Sequence, residues 1–245
     1  MSAPDLLDLA LDAAGGLDRW QRAARITTRL ASGGLAFDTK WKRGALRDVE
    51  GVIDRARPRT VYSPYPAAGR RGVFEADRVR IETDSGEVLE ERQDPRAAFG
   101  GTAGLRRNLW WDHLDLLHFA GYALWNYLSA PFMLTRPGFE LSEGAPWEED
   151  GERWRRLDVR FPAEIPTHSP EQSFFYDESG LQRRHDYTAL PFGRWARATH
   201  YCYEHRELDG LTLPTRRRVH PRLPSGKPLR PITLVWIDIA SLSLE

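Results

Sequence analysis

Four side chains in the last third of the chain have the types and spacing for proton chemistry. They are His185 and Tyr187 in LQRRHDY, and His200 and Glu204 in ARATHYCYEH. Alternate residues of a β-strand share a face. Leu181, Arg183, His185 and Tyr187 then point one way on the first segment, and Ala196, Ala198, His200, Cys202 and Glu204 point one way on the second. Only TALPFGRW separates the two segments, so they should pair, and cross-strand neighbours on one face lie within side-chain reach. A concave surface carrying His185, Tyr187, His200 and Glu204 is the result. Histidine beside a carboxylate is a workable acid–base pair, because imidazole titrates near neutral pH. The plainer alternative is a pair of surface histidines beside arginines. His168, in IPTHSPEQ, sits in a loop before a strand, where it could serve a pocket or simply cap a turn. Cys202 lies two residues from His200 and could be a nucleophile or a small buried hydrophobe.

A second set lies in NLWWDHLDLLHFAGYALWNYLSAPF, residues 108–132. At helical spacing Asp115, His118 and Tyr122 could converge, or Asp115 could form an ion pair that only orients the helix. His113 and His118 are five apart and point away from each other, unlike the four-apart pair of a zinc helix, so no metal site is expected. The single cysteine makes no internal disulfide and no cysteine-based zinc site. The SGG, AGG and FGG triplets lack the GK[ST] of a phosphate loop, and there is no dinucleotide fingerprint. No cofactor is expected.

These residues need a scaffold. Residues 109–128 read as a helix, capped by Asn108 and stopped by Pro131. Asp112, Asp115, Phe119, Tyr122 and Asn126 form one stripe, which should be its wettest; Trp110, Leu117 and Leu124 should be buried. The rest is apolar, so the helix is a core helix or a membrane span. Two aspartates, each costing about 2.5–3.5 kcal/mol near a bilayer centre, argue against a span. Around it the pattern has period two: RITTRL and LAFDTKW as a hairpin about ASGG, then TVYSPY, GVFEAD and RVRIETD. After the helix come PFMLT, ERWRRLDVRF, QSFFYD, LQRRHDY, ARATHYCYEH, LTLPTRRRV and TLVWIDIASLSL. About a dozen strands in hairpin succession favour antiparallel pairing. Ser2 can cap a first helix that ends at Gly15-Gly16. The fold class is α+β: a strongly curved antiparallel sheet with the mid-chain helix on its concave side, in one domain over residues 1–245.

The charge balance is even, with 35 basic and 35 acidic residues among 245. A nucleic-acid partner is therefore not expected. The first residues, MSAPDLLDLALDAAGG, lack a basic leader and carry aspartates where an apolar run would lie, which points to a cytoplasmic setting. Nine tryptophans, including Trp125 on the helix, default to core but could together line an apolar pocket.

AAGGLDRWQRAARITTRL, FFYDESGLQRRHDY and ELDGLTLPTRRRV, with the order helix, strands, apolar helix, strands, resemble the LolA/LolB-like lipoprotein-carrier superfamily. The resemblance implies an incomplete β-barrel, a half-barrel also used by VioE-type enzymes for cofactor-free chemistry. Two functions follow. One is binding of a hydrophobic, lipid-like or aromatic small molecule in a cleft lined by Asp115, His118, Phe119, Tyr122, Trp125, His168 and Tyr187. The other is a cofactor-independent enzyme using His185, His200 and Glu204 in the same cleft.

Overall fold

The computed structural model describes residues 3–245, so the Ser2 cap lies outside the described residues. Helices α1 (Ala3–Ala13) and α2 (Leu17–Arg22) precede a run of antiparallel hairpins: β1 (Arg25–Gly33), β2 (Leu46–Asp54), β3 (Arg59–Ser63), β4 (Arg70–Glu75), β5 (Arg78–Thr83) and β6 (Val88–Gln93). A one-turn helix, α3 (Leu35–Asp38), interrupts the first hairpin, and α4 (Gly101–Arg107) and α5 (His113–Ser129) follow the sixth strand. The second run is β7 (Glu140–Glu149), β8 (Glu152–Arg160), β9 (Glu171–Tyr176), β10 (Gln182–Thr188), β11 (Arg197–Leu208), β12 (Leu211–Pro221) and β13 (Val235–Leu244).

All thirteen strands form one sheet in the order β6-β5-β4-β3-β2-β1-β13-β12-β11-β10-β9-β8-β7. Strands β1 and β13 pair in its middle, Ile26 opposite Leu244, so the two runs are joined through the first and last strands. The sheet does not close, and β6 and β7 are free edges. This is the α+β, curved antiparallel architecture expected, with two segments exchanged. LAFDTKW is not the partner of β1: Gly34, at φ 126°, starts α3, which buries Ala36 and Phe37. The partner is LRDVEGVID. Seven residues with apolar positions a few apart satisfy a helical turn as well as a strand. PFMLT is a 3-10 turn, Phe132–Thr135.

Helix α5 fills the hollow. It begins four residues later than the sequence predicted. Asp112 accepts from the Asp115 N–H at 2.8 Å, and the Asp115 carboxylate accepts from the Asp112 N–H at 3.1 Å, a reciprocal cap that outcompetes Asn108. Every residue from Leu114 to Ser129 is buried. Leu117 and Leu124 are in the core as expected, but the stripe expected to be wet is dry from Asp115 to Asn126, with only the cap residue Asp112 half-buried, and Trp110 lies outside the helix and exposed. Asp115 is fully enclosed because Arg107 Nε and Arg92 Nη1 reach it at 2.6 and 2.7 Å. Asn126 donates to the carbonyls of Tyr122 (2.7 Å) and Pro166 (2.8 Å).

On its N-terminal-run side α5 lies very close to the sheet. A Cβ on Gly121 would stand 2.4 Å from Phe74 Cβ, so only glycine allows this approach. Three hydroxyls from β3 and its exit bind the helix backbone: Thr60 Oγ1 donates to Gly121 O (2.8 Å), Tyr62 Oη to Ala120 O (2.9 Å) and Tyr65 Oη to His113 O (2.6 Å). Helix α1 closes the other end of the hollow with Leu6, Leu7, Ala10 and Leu11, and Trp20 of α2 stacks on Phe132 with centroids 4.7 Å apart. Among the described residues no helix is long and apolar enough to cross a membrane.

Candidate functional site

Where α5 faces the C-terminal run, the contact is made by polar rings. Tyr122 and Tyr127 come from the helix, His168 from the β8–β9 connection, His185 and Tyr187 from β10, and His200 from β11. Tyr122 Oη lies 3.1 Å from His168 Nδ1, and Tyr127 Oη lies 2.7 Å from His168 Nε2 and 3.1 Å from Tyr187 Oη. A neutral imidazole has one N–H and one lone pair, so one tyrosine donates to His168 and the other accepts from it. The His168 ring is stacked flat on Tyr187, centroids 4.0 Å apart. His185 Nε2 donates to Gln172 Oε1 at 2.6 Å, leaving Nδ1 bare, and neither nitrogen of His200 has a partner. Behind them Arg217 donates to Tyr127 O (3.0 Å) and Cys202 Sγ (3.3 Å).

Burial sets the charge state of this cluster. It pushes His168 down to about 3. His185 and His200 are held well below the usual imidazole range by burial, with His168 adding to the effect on the first and Arg217 on the second. Burial likewise raises Tyr122, Tyr187 and the Cys202 thiol. At neutral pH the cluster is a chain of uncharged donors and acceptors. It can hold the polar edge of a ligand, but it offers no ionised acid or base.

The alternation correctly brings His185, Tyr187 and His200 to the concave face, and His185 stands directly opposite His200 in register. Glu204 does not join them. Strand β11 is irregular there: Tyr203 pairs with Arg216 and His205 with Pro214 in one continuous register, but Glu204 between them leaves the extended conformation, at φ 53°. This left-handed residue carries its carboxylate outward to Arg216, 3.1 Å away. A true bulge, between Gln182 and Arg184, turns Arg183 outward to Glu152. The histidine–carboxylate pair expected on this face is therefore not assembled. Asp115 does not converge with His118 and Tyr122 either, because its two arginines hold it at the helix start. Trp125 points to β2, where Nε1 donates to Asp54 O at 2.8 Å. Phe119 and Tyr187 border a gap of only about 30 Å³. The sequence reading overlooked Tyr127 and Arg217. Strand alternation in Arg216-Arg217-Arg218 requires the middle residue to face opposite to the other two, and that signal could have found Arg217.

The usable space beside α5 is a cleft of about 210 Å³. Phe99, His118, Tyr122, His168, Leu190 and Pro191 wall it, and Arg96 stands at the mouth. His118 Nδ1 is buried without a partner. Its ring lies among Phe99, Phe74 and Tyr122, at centroid distances of 5.7, 5.9 and 5.3 Å. Burial, then the charges of Arg96 and Arg92, push His118 down to about 3. The cleft is thus an aromatic box with neutral polar edges and a cation at its entrance. A larger groove of about 990 Å³ crosses β7–β10. It is shallow and walled largely by groups paired with each other, such as Arg160 with Glu171 and Arg222 with Asp186.

No protein-family model matches the sequence, and no curated protein matches it. Solved structures do. A LolA superfamily protein from Nitrosomonas europaea superposes with a TM-score of 0.55 at 11% identity, covering 100% of this chain and 94% of that one. A DUF1329 family protein from Desulfovibrio piger gives 0.52 at 12%, covering 99% and 93%. A domain described as an outer membrane lipoprotein-sorting protein, from Vibrio parahaemolyticus, gives 0.53 at 8%, also covering 99% and 93%. At these identities the likeness is one of fold, and the fold of this chain is LolA-like.

Proposed function

We propose that this LolA-like half-barrel binds a small, mostly apolar molecule in the cleft between α5, the Ala97–Phe99 turn and the loops at residues 166–168 and 190–191. The observation that carries the reading is the box of Phe99, His118, Tyr122 and His168 around about 210 Å³. That volume exceeds the roughly 150 Å³ apolar cavity that accepts benzene and falls below the usual range of about 300–1,000 Å³ for larger ligands. The occupant is a one- or two-ring compound, or one end of an apolar chain. The bare Nδ1 of His118 can accept one hydrogen bond from it. The close contact of Gly121 with Phe74 argues against α5 swinging aside to admit a whole acyl chain. The reading carries a cytosolic setting, in which the ligand is a metabolite.

Binding of 2-naphthol and of anilinonaphthalene sulfonate, followed by fluorescence, tests it. Leu190→Trp fills the entrance and should abolish binding with the thermal midpoint unchanged. Tyr122→Ala enlarges the cleft and should change ligand choice, whereas Leu117→Ala, in solid core, should cost about 2–5 kcal/mol of stability and leave binding alone. Equal binding in wild type and Leu190→Trp would remove the cleft as the site.

A further inference from the structure

Ten large apolar side chains are exposed among the described residues, and six of them lie on three connecting segments: Leu35 and Trp41, Leu109 and Trp110, and Leu190 and Trp195. The segments follow β1, precede α5 and follow β10, and they meet in space. Trp111 N–H donates to Lys40 O at 3.3 Å, the Lys40 ammonium binds Asn108 O, and the Trp111 and Phe192 rings are 4.7 Å apart. Scattered exposed leucines are ordinary; a concentration at one end of a molecule is not. Trp41 is 77% exposed and Trp195 80%. Trp41 also holds φ 62°, a left-handed conformation that a bulky side chain seldom adopts.

The same rim is basic. Its exposed cations are Arg43, Arg106 and Arg194; Arg43 is paired with Asp38 and Arg106 with Asp112, Arg194 has no ion pair among the described residues, and Lys40 and Lys42 are buried beneath them. Lys42 and Arg106 lie over the Trp110 ring, 5.6 and 4.8 Å from its centre, so cations and indole sit at one level. The chain as a whole is neutral, so this excess is local. Indole rings beside exposed guanidinium groups fit the region where lipid headgroups meet acyl chains. Exposed leucines add apolar area that a bilayer can cover, and exposed basic groups attract anionic lipids.

We infer that the rim formed by residues 35–43, 106–110 and 190–195 docks on the surface of an anionic lipid bilayer, with Trp41, Leu109 and Trp195 entering the headgroup layer. The inference does not depend on a ligand in the cleft.

Flotation of the full chain with vesicles tests it, using phosphatidylcholine alone and an equal mixture with phosphatidylglycerol. The protein should float with the mixture, stay behind with phosphatidylcholine, and lose partition as salt rises. Trp41→Ser/Trp195→Ser should weaken partition at least about tenfold, as should Arg43→Glu/Arg194→Glu, which acts through exposed charge and serves if the first variant does not fold. No flotation with the mixture, equal flotation with both vesicles, or undiminished flotation of a folded variant would overturn the proposal. So would a wild-type dimer that does not float and that the tryptophan substitutions dissociate, since the rim would then be a surface between two copies of the chain.

Discussion

At His168 the folded chain holds an imidazole whose proton affinity is pushed down to about 3, against an ordinary value of 6.5, and His118 matches it. The unfolded chain therefore takes up protons first as the pH falls. Stability from these two groups is complete above about 6.5 and is lost progressively toward 3; at pH 5 each histidine should cost about 1–2 kcal/mol. Asp112 acts in a separate window. Burial would raise its carboxyl, but the hydrogen bonds from Arg92 and from the Asp115 backbone bring it to about 2, so its contribution persists above 3.8 and is lost only below that. Urea midpoints at neutral pH and near pH 5 check the histidine account: wild type should lose stability, and His168→Gln should lose about 1–2 kcal/mol less. An equal loss in both would mean that His168 is protonated without unfolding. At this scale the sequence was half legible. Alternation placed His185, Tyr187 and His200 together, but the left-handed backbone at Glu204 has no marker in ATHYCYEH, because the residue there is neither glycine nor asparagine.

Helix α5 is fixed by two devices that a wheel diagram cannot display. One is the close approach of Gly121 to Phe74. Gly121→Ala improves helix propensity by about 1 kcal/mol, yet it places a methyl against the Phe74 side chain, and overpacking of this kind costs about 1–3 kcal/mol or more. A net loss of thermal stability is expected; a gain would mean that the helix and β4 separate easily. The other device is the enclosed carboxylate of Asp115 with Arg107 and Arg92. Asp115→Asn leaves buried guanidinium charge without its anion and should cost about 3–5 kcal/mol in chemical denaturation. A loss below about 1 kcal/mol would show that Arg92 and Arg107 reach water or Asp112 instead. Composition revealed that the helix is buried, since nearly all of its circumference is apolar. Its start and its wet side were misread because the arginines that neutralise Asp115 come from β6 and α4, outside the window. Edge strands such as Glu140–Glu149 were overlooked for a related reason: an edge wetted on both faces carries no apolar alternation.

Over the whole molecule, hairpin succession was legible because each turn joins neighbours, whereas the pairing of β1 with β13 joins residues more than two hundred positions apart and leaves no local trace. That pairing carries the continuity of the sheet. Removing residues 235–245 should strip partners from both β1 and β12 and abolish cooperative unfolding, as read by circular dichroism against urea. A truncated chain with a sharp transition would mean that one run folds alone. The same pairing sets a timetable for synthesis. Strand β1 leaves the ribosome some two hundred residues ahead of its partner β13, so at about 5–20 residues per second it waits on the order of 10–40 seconds with an open edge. Each nascent chain must pass that interval with one edge of β1 unpaired, and its yield in a cell should depend on how quickly the residues between β1 and β13 are translated or on what shields that edge meanwhile.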